Sequence, residues 1–118
     1  MFLHGIRIDE IDGWHDDDWC RQLVRGRGTA TSALSTFVAK IWFPKNAGED
    51  TCIATLTVDH EEPSLFNLTP ESPTELTMPV NIAEGETITF RLFCNNRIAN
   101  LGEEKRQLSF VLMGLSCT

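Results

Sequence analysis

Much of the chain alternates apolar and polar residues with a period of two, the pattern of a strand that buries one face. The clearest case is Thr51–Asp59, where Cys52, Ala54, Leu56 and Val58 oppose Thr51, Ile53, Thr55 and Thr57. Threonine suits the solvent side of a sheet. Thr87–Cys94 repeats the pattern, with Ile88, Phe90, Leu92 and Cys94 against Thr87, Thr89 and Arg91. In Phe37–Phe43, residues Phe37, Ala39, Ile41 and Phe43 face one way and Val38, Lys40 and Trp42 the other. Gln107–Leu115 sets Leu108, Phe110 and Leu112 against Ser109, Val111 and Met113, and its end is apolar on both faces.

The remaining segments are less regular. Leu3–Ile11 reads as a strand, and Gly13 marks a turn after it. Cys20–Val24 fits either a short strand or one helical turn, and Arg25-Gly26-Arg27-Gly28 reads as a flexible loop. Thr31–Val38 can open as a helix, with Ala33, Leu34 and Phe37 on one side. Pro44, Asn46 and Gly48 supply a connection, after which Thr51–Asp59 returns as a hairpin. The proline-containing stretch from Asp59 to Pro73 reads as a long loop in which Ser64–Asn67 pairs briefly at an edge. Pro79 places the strand through Leu76, Met78, Val80 and Ile82 at an edge or a bulge. Ala83–Glu86 is a turn, and Asn95–Lys105 a polar connection with Asn95, Asn96 and Gly102 at turn positions. Six or seven short strands of this kind predict a mostly-β chain, a β-sandwich or partly closed barrel, forming a single domain over residues 1–118.

Composition adds constraints on partners. The 118 residues are 42% hydrophobic and 23% charged, ordinary for a globular chain. A formal net charge of −7 opposes nonspecific binding to nucleic acid and to anionic membrane surfaces. Six acidic residues fall between Asp9 and Asp18 without a basic one, and four basic residues between Arg21 and Lys40 without an acidic one. That polarity can help subunits dock, or it can be a solvated surface with local ion pairs. No signal peptide or membrane-spanning run is visible, which predicts synthesis in the cytoplasm or a fragment with an added start methionine. Cys20, Cys52, Cys94 and Cys117 lack the close spacing of zinc or redox sites. Buried free thiols account for them, with a core disulfide as the alternative.

Catalytic motifs are missing. Arg25-Gly26-Arg27-Gly28 fits neither a P-loop nor a dinucleotide fingerprint, although a loop of this composition can grip an anion. No serine sits in a nucleophile elbow. Asp12, His15, Asp16, Asp17 and Asp18 bring carboxylates close together, and Asp12, His15, Asp16 and Asp18 are the candidate ligands of a metal, Ca²⁺ first. The stretch lacks the EF-hand arrangement of glycine and glutamate. A solvated acidic loop anchored by Trp14 and Trp19 is the plainer alternative. Asp59-His60-Glu61-Glu62 is a second acidic group, able to do acid–base work if folding brings it to the first. Trp14 and Trp42 are candidate platforms for a sugar ring or a protein partner.

Two segments carry a family resemblance. Leu76 to Phe90 runs through an extended strand and a turn into a Gly-acidic-x-Ile-x-Phe strand, and Phe110-Val111-Leu112-Met113-Gly114-Leu115 closes the chain. Together they resemble the jelly-roll head domains of bacteriophage receptor-binding proteins and of tumour-necrosis-factor-like trimers. The resemblance implies a non-enzymatic oligomer of a virion that binds a glycan or assembles with other proteins, and it assigns no binding residue. The leading expectation is therefore a self-associating structural or interaction module whose homo-oligomer forms through Val111, Met113 and Leu115. The alternatives are a carbohydrate-binding module holding calcium, with no other cofactor, and a small metal-dependent enzyme using His15 and His60.

Overall fold

The computed structural model describes residues 1–45, 52–98 and 106–118. Among them are nine strands: β1 (Phe2–His4), β2 (Ile6–Trp14), β3 (Trp19–Ala30), β4 (Leu34–Trp42), β5 (Cys52–Val58), β6 (Ser64–Leu68), β7 (Thr74–Ile82), β8 (Thr87–Cys94) and β9 (Phe110–Cys117). Hydrogen bonds link them in the order β6-β5-β8-β3-β9-β4-β7, with β1 added to β9 and β2 to β3. The link from β3 to β9 consists of two residue pairs, Trp19 with Val111 and Cys20 with Phe110. That corner divides the path into a five-stranded layer, β6-β5-β8-β3-β2, and a four-stranded layer, β7-β4-β9-β1. The fold is mostly β, a nearly closed sandwich of the jelly-roll-like kind.

The inward faces of both layers supply the core. Ala54, Leu56 and Val58 of β5, Ile88, Phe90 and Leu92 of β8, and Phe37, Ala39 and Ile41 of β4 are all buried. The rings of Phe37 and Phe90 meet between the layers at 5.4 Å. Each large side chain removed from water here contributes on the order of 1.5–3 kcal/mol. None of the four cysteines is in a disulfide and all are buried, and loss of solvation pushes the Cys20 thiol up to about 12.

Several local expectations are corrected. The segment Arg25-Gly26-Arg27-Gly28 is the middle of β3, paired with β2 and β8. Its glycines occupy the inward positions, where a methyl group on Gly26 would overlap the Phe90 ring and one on Gly28 would overlap the Arg7 backbone carbonyl and crowd Ile6. They make room for core side chains, and the backbone around them is extended. No helix forms over 31–38, because β4 begins at Leu34. A register shift between Leu34 and Thr36 turns both Leu34 and Phe37 inward, which imitates helical spacing. β5 does not return on β4: it pairs with β6 and β8 in the other layer. Gly13 is no turn but a bulge within β2, at a φ of 86° that side chains rarely adopt.

Two edge assignments hold. Ser64–Leu68 is an edge strand bound only to β5, and β7, which carries Pro79, pairs only with β4 among the described residues. Asn46, Gly48, Thr51 and Gly102, assigned above from sequence, lie outside the described residues. No helix among the described residues is long and apolar enough to cross a membrane.

Candidate functional site

The five-stranded layer turns a face outward whose side chains are set by the ladder. Register aligns Glu10, Arg27 and Thr89 in one row and Asp12, Arg25, Arg91 and Thr57 in the next. The third row is Leu23, Phe93, Thr55 and Leu65. The first two rows line a groove of about 620 Å³, with Asp59 at its end. A second hollow, of about 300 Å³, continues it through Asp12 and Arg25 to Arg21, Leu23 and Arg97.

The groove's carboxylates differ in how fully they are engaged. Asp59, at a φ of 48°, accepts hydrogen bonds from the Thr89 amide at 2.7 Å and the Thr89 hydroxyl at 3.1 Å. This pins the end of β5 to β8. Glu10 pairs with Arg27 at 3.1 Å. Arg25 and Arg91 stand directly opposite each other across the ladder, and neither makes an ion pair or side-chain hydrogen bond among the described residues. Like charges in that position repel, so the arrangement costs stability unless an anion sits over it. Beside them Phe93 is 41% exposed and Leu65 69% exposed, giving the face an apolar end.

The candidate metal ligands are dispersed. Only Asp12 faces the groove, and it shares that groove with Asp59 of the second acidic group. His15 to Asp18 form the turn between β2 and β3, closed by bonds from the Asp18 amide to the His15 carbonyl and from the His15 amide to the Trp19 carbonyl. Asp18 accepts from the Trp14 indole at 3.1 Å and from the Met1 amino group at 2.9 Å. Asp17 takes both arms of the Arg106 guanidinium, at 3.1 and 2.8 Å, which holds its carboxyl below the usual range. Asp16 points to solvent, and the His15 Nε2 is buried without a partner among the described residues. No group of three or more His, Cys, Asp or Glu side chains among the described residues is placed to hold a metal ion. His60 is exposed on the turn after β5, so the acid–base pairing of the two acidic segments reduces to Asp12 and Asp59.

The candidate interface residues also separate. Trp14 is half-buried beside Asp18, and Trp42 is half-buried in an edge-to-face contact with Trp19 at 6.3 Å. Val111 and Met113 lie on the outer face of the four-stranded layer, but Leu115 is fully buried. The correction has a local cause: β4 pairs Lys40 with Gly114 and Ile41 with Leu112, leaving Met113 as an extra residue. That bulge reverses the alternation and turns Leu115 inward.

The sequence points to Arg25 and Arg27 as a candidate anion grip and to Asp59 in the second acidic group, but not to Arg91 or Phe93 as site residues. The available signal was the polar phase Thr89-x-Arg91-x-Phe93, whose last member is an aromatic residue placed on the solvent side of a strand.

A family 35 carbohydrate binding module from an environmental isolate superposes with a TM-score of 0.48 at 15% sequence identity, over 98% of this chain and 92% of that one. No family model matches the sequence, and no curated protein matches it. The match is to a carbohydrate binding module and not to a virion head domain. The resemblance to bacteriophage and other virion proteins is corrected accordingly, together with the self-associating virion component read from it.

Proposed function

We propose that the chain is a carbohydrate-binding module that takes an oligosaccharide across the outer face of its five-stranded layer. The observation that carries this reading is Phe93, an exposed ring in register beside a groove of guanidinium, carboxylate and hydroxyl groups. Sugars present an apolar ring face together with a rim of hydroxyls, and a flat aromatic flanked by planar hydrogen-bonding groups matches both. Successive outward rows stand about 6.6 Å apart, so a ring on Phe93 brings its substituents to Arg91 and Arg25. The backbone beneath is held by ladders on both sides of β3 and β8, which leaves the groove pre-formed.

A glycan array probed with the wild-type protein and with Phe93→Ala tests the reading. Wild-type protein retains at least one oligosaccharide class, and Phe93→Ala weakens that binding about tenfold, the loss of roughly 1.4 kcal/mol expected for a stacked ring. The variant keeps the wild-type thermal midpoint to within about 3 °C, since Phe93 is already partly in solvent. An array that retains no sugar sinks the proposal.

A further inference from the structure

We infer that the carbohydrate recognised here carries oxyanion groups, held by an arginine strip that crosses the two adjoining hollows. The inference rests on the glycan-binding reading and adds the chemical class of the ligand. Arg21, Arg25, Arg91 and Arg97 line the strip, and none of the four makes an ion pair or side-chain hydrogen bond among the described residues. Together with Arg27 they make five arginines against three lining carboxylates, Glu10, Asp12 and Asp59. Glu10 is engaged by Arg27, and Asp59 by Thr89, so among the described lining residues Asp12 alone is left to answer four guanidinium groups. The strip is therefore locally positive on a chain whose net charge is −7.

The choice of side chain sharpens the class. All five cations are arginine, whose planar fork matches a carboxylate or a sulfate ester through two parallel hydrogen bonds. The Arg25–Arg91 pair places two such forks on adjacent strands of a single row. An oxyanion between them relieves their mutual repulsion and completes their hydrogen bonding, whereas a neutral hydroxyl does only the second. The acidic remainder of the molecule disfavours a long continuous polyanion, which favours a sugar with separated charges over a nucleic acid strand. Phe93, seated one row from the pair, gives the pyranose ring its apolar contact.

Three polymers on one backbone provide the test: dextran, carboxymethyl-dextran and dextran sulfate, titrated calorimetrically into the intact protein beside single-stranded poly(U). Binding of either charged dextran at least tenfold tighter than dextran is expected, and which charged form wins distinguishes carboxylate from sulfate. Arg25→Gln and Arg91→Gln each reduce the charged-dextran affinity about tenfold, a larger loss than either causes for dextran, and lessen the salt dependence. Equal affinity for charged and neutral dextran overturns the oxyanion inference while the glycan reading stands. Charged-dextran binding unaffected by both arginine variants overturns the site, and poly(U) binding as tight as the charged dextrans overturns the ligand class. No binding to any of the three dextrans, with a glycan array that is also blank, removes the underlying reading itself.

Discussion

Asn96 and Ser109 are the two buried polar side chains among the described residues, and they satisfy one another. The Asn96 amide donates to the Ser109 carbonyl at 2.6 Å, and the Ser109 hydroxyl reaches the Asn96 backbone and side-chain oxygens at 2.8 and 2.9 Å. The Cys52 thiol donates to the same side-chain oxygen at 3.0 Å. Removing the Asn96 side chain takes the amide donor from the buried Ser109 carbonyl, a cost on the order of 1–3 kcal/mol, while the Ser109 hydroxyl keeps the Asn96 backbone oxygen. Asn96→Ala is therefore expected to lower stability by about 1–3 kcal/mol in urea denaturation, and a loss below about 0.5 kcal/mol contradicts this account. Gly26 is constrained by volume. The Phe90 ring over it is buried and braced by Phe37, so it cannot yield to a new methyl group. Gly26→Ala is expected to cost about 1–3 kcal/mol by overpacking, with part of the loss recovered when Phe90→Leu is added, read from the same unfolding curves.

At the scale of elements, β9 shows what a single residue does to a strand. Met113 is surplus to the pairing with β4, so the inward set runs Phe110, Leu112, Leu115 and Cys117. Deleting Met113 restores plain alternation without moving any of these four to the other face. Deleting Val111 instead turns Leu112 outward and strands its side chain in water. The first deletion is expected to keep a cooperative thermal transition and dispersed amide proton shifts, and the second to lose both. The same bulge explains why the sequence placed Leu115 outside: a period of two locates a face only until an extra residue intervenes. β5 and β8 were legible because their alternation is uninterrupted. β3 was not, because glycines at inward positions remove the apolar half of its pattern. Alternation also says nothing about neighbours, so β5 was paired with β4 when it belongs between β6 and β8. The candidate site suffered from the same gap. Arg25 could be suspected of holding an anion, but its partner Arg91 lies 66 residues away and only the ladder brings the two together.

The charge pattern becomes intelligible only in the whole molecule. The acidic block of β2 lies beside the basic residues of β3, where Glu10 meets Arg27, while Arg21 and Arg25 make no ion pair among the described residues. Two exposed carboxyls there are held below their ordinary 3.8, Asp9 by the Thr29 hydroxyl and then Arg7, and Asp17 by the Arg106 fork. For such groups the unfolded chain takes up protons first, so their contribution is present above pH 3.8 and is lost as pH falls through the lower folded values. Solvent screening keeps that acid limb shallow. The alkaline limb is steeper, because buried thiols set it. Loss of solvation raises Cys20 from 9.0 to about 12 and Cys117 from 9.0 to about 11. The hydrogen bond between the Cys94 and Cys52 thiols, followed by burial, lifts Cys94 well above its ordinary value. Above pH 9 the unfolded chain loses these protons while the folded chain keeps them, so stability falls as pH rises, by up to about 1.4 kcal/mol per unit for each thiol. Urea midpoints should hold level to about pH 8 and then drop. Cys20→Ala begins from a lower midpoint, since it leaves a small void, yet its decline between pH 9 and 11 should be shallower by one thiol's share. Parallel slopes for the two proteins would show that Cys20 ionises as freely in the folded chain as in the unfolded one, and that the corner where β3 meets β9 admits water.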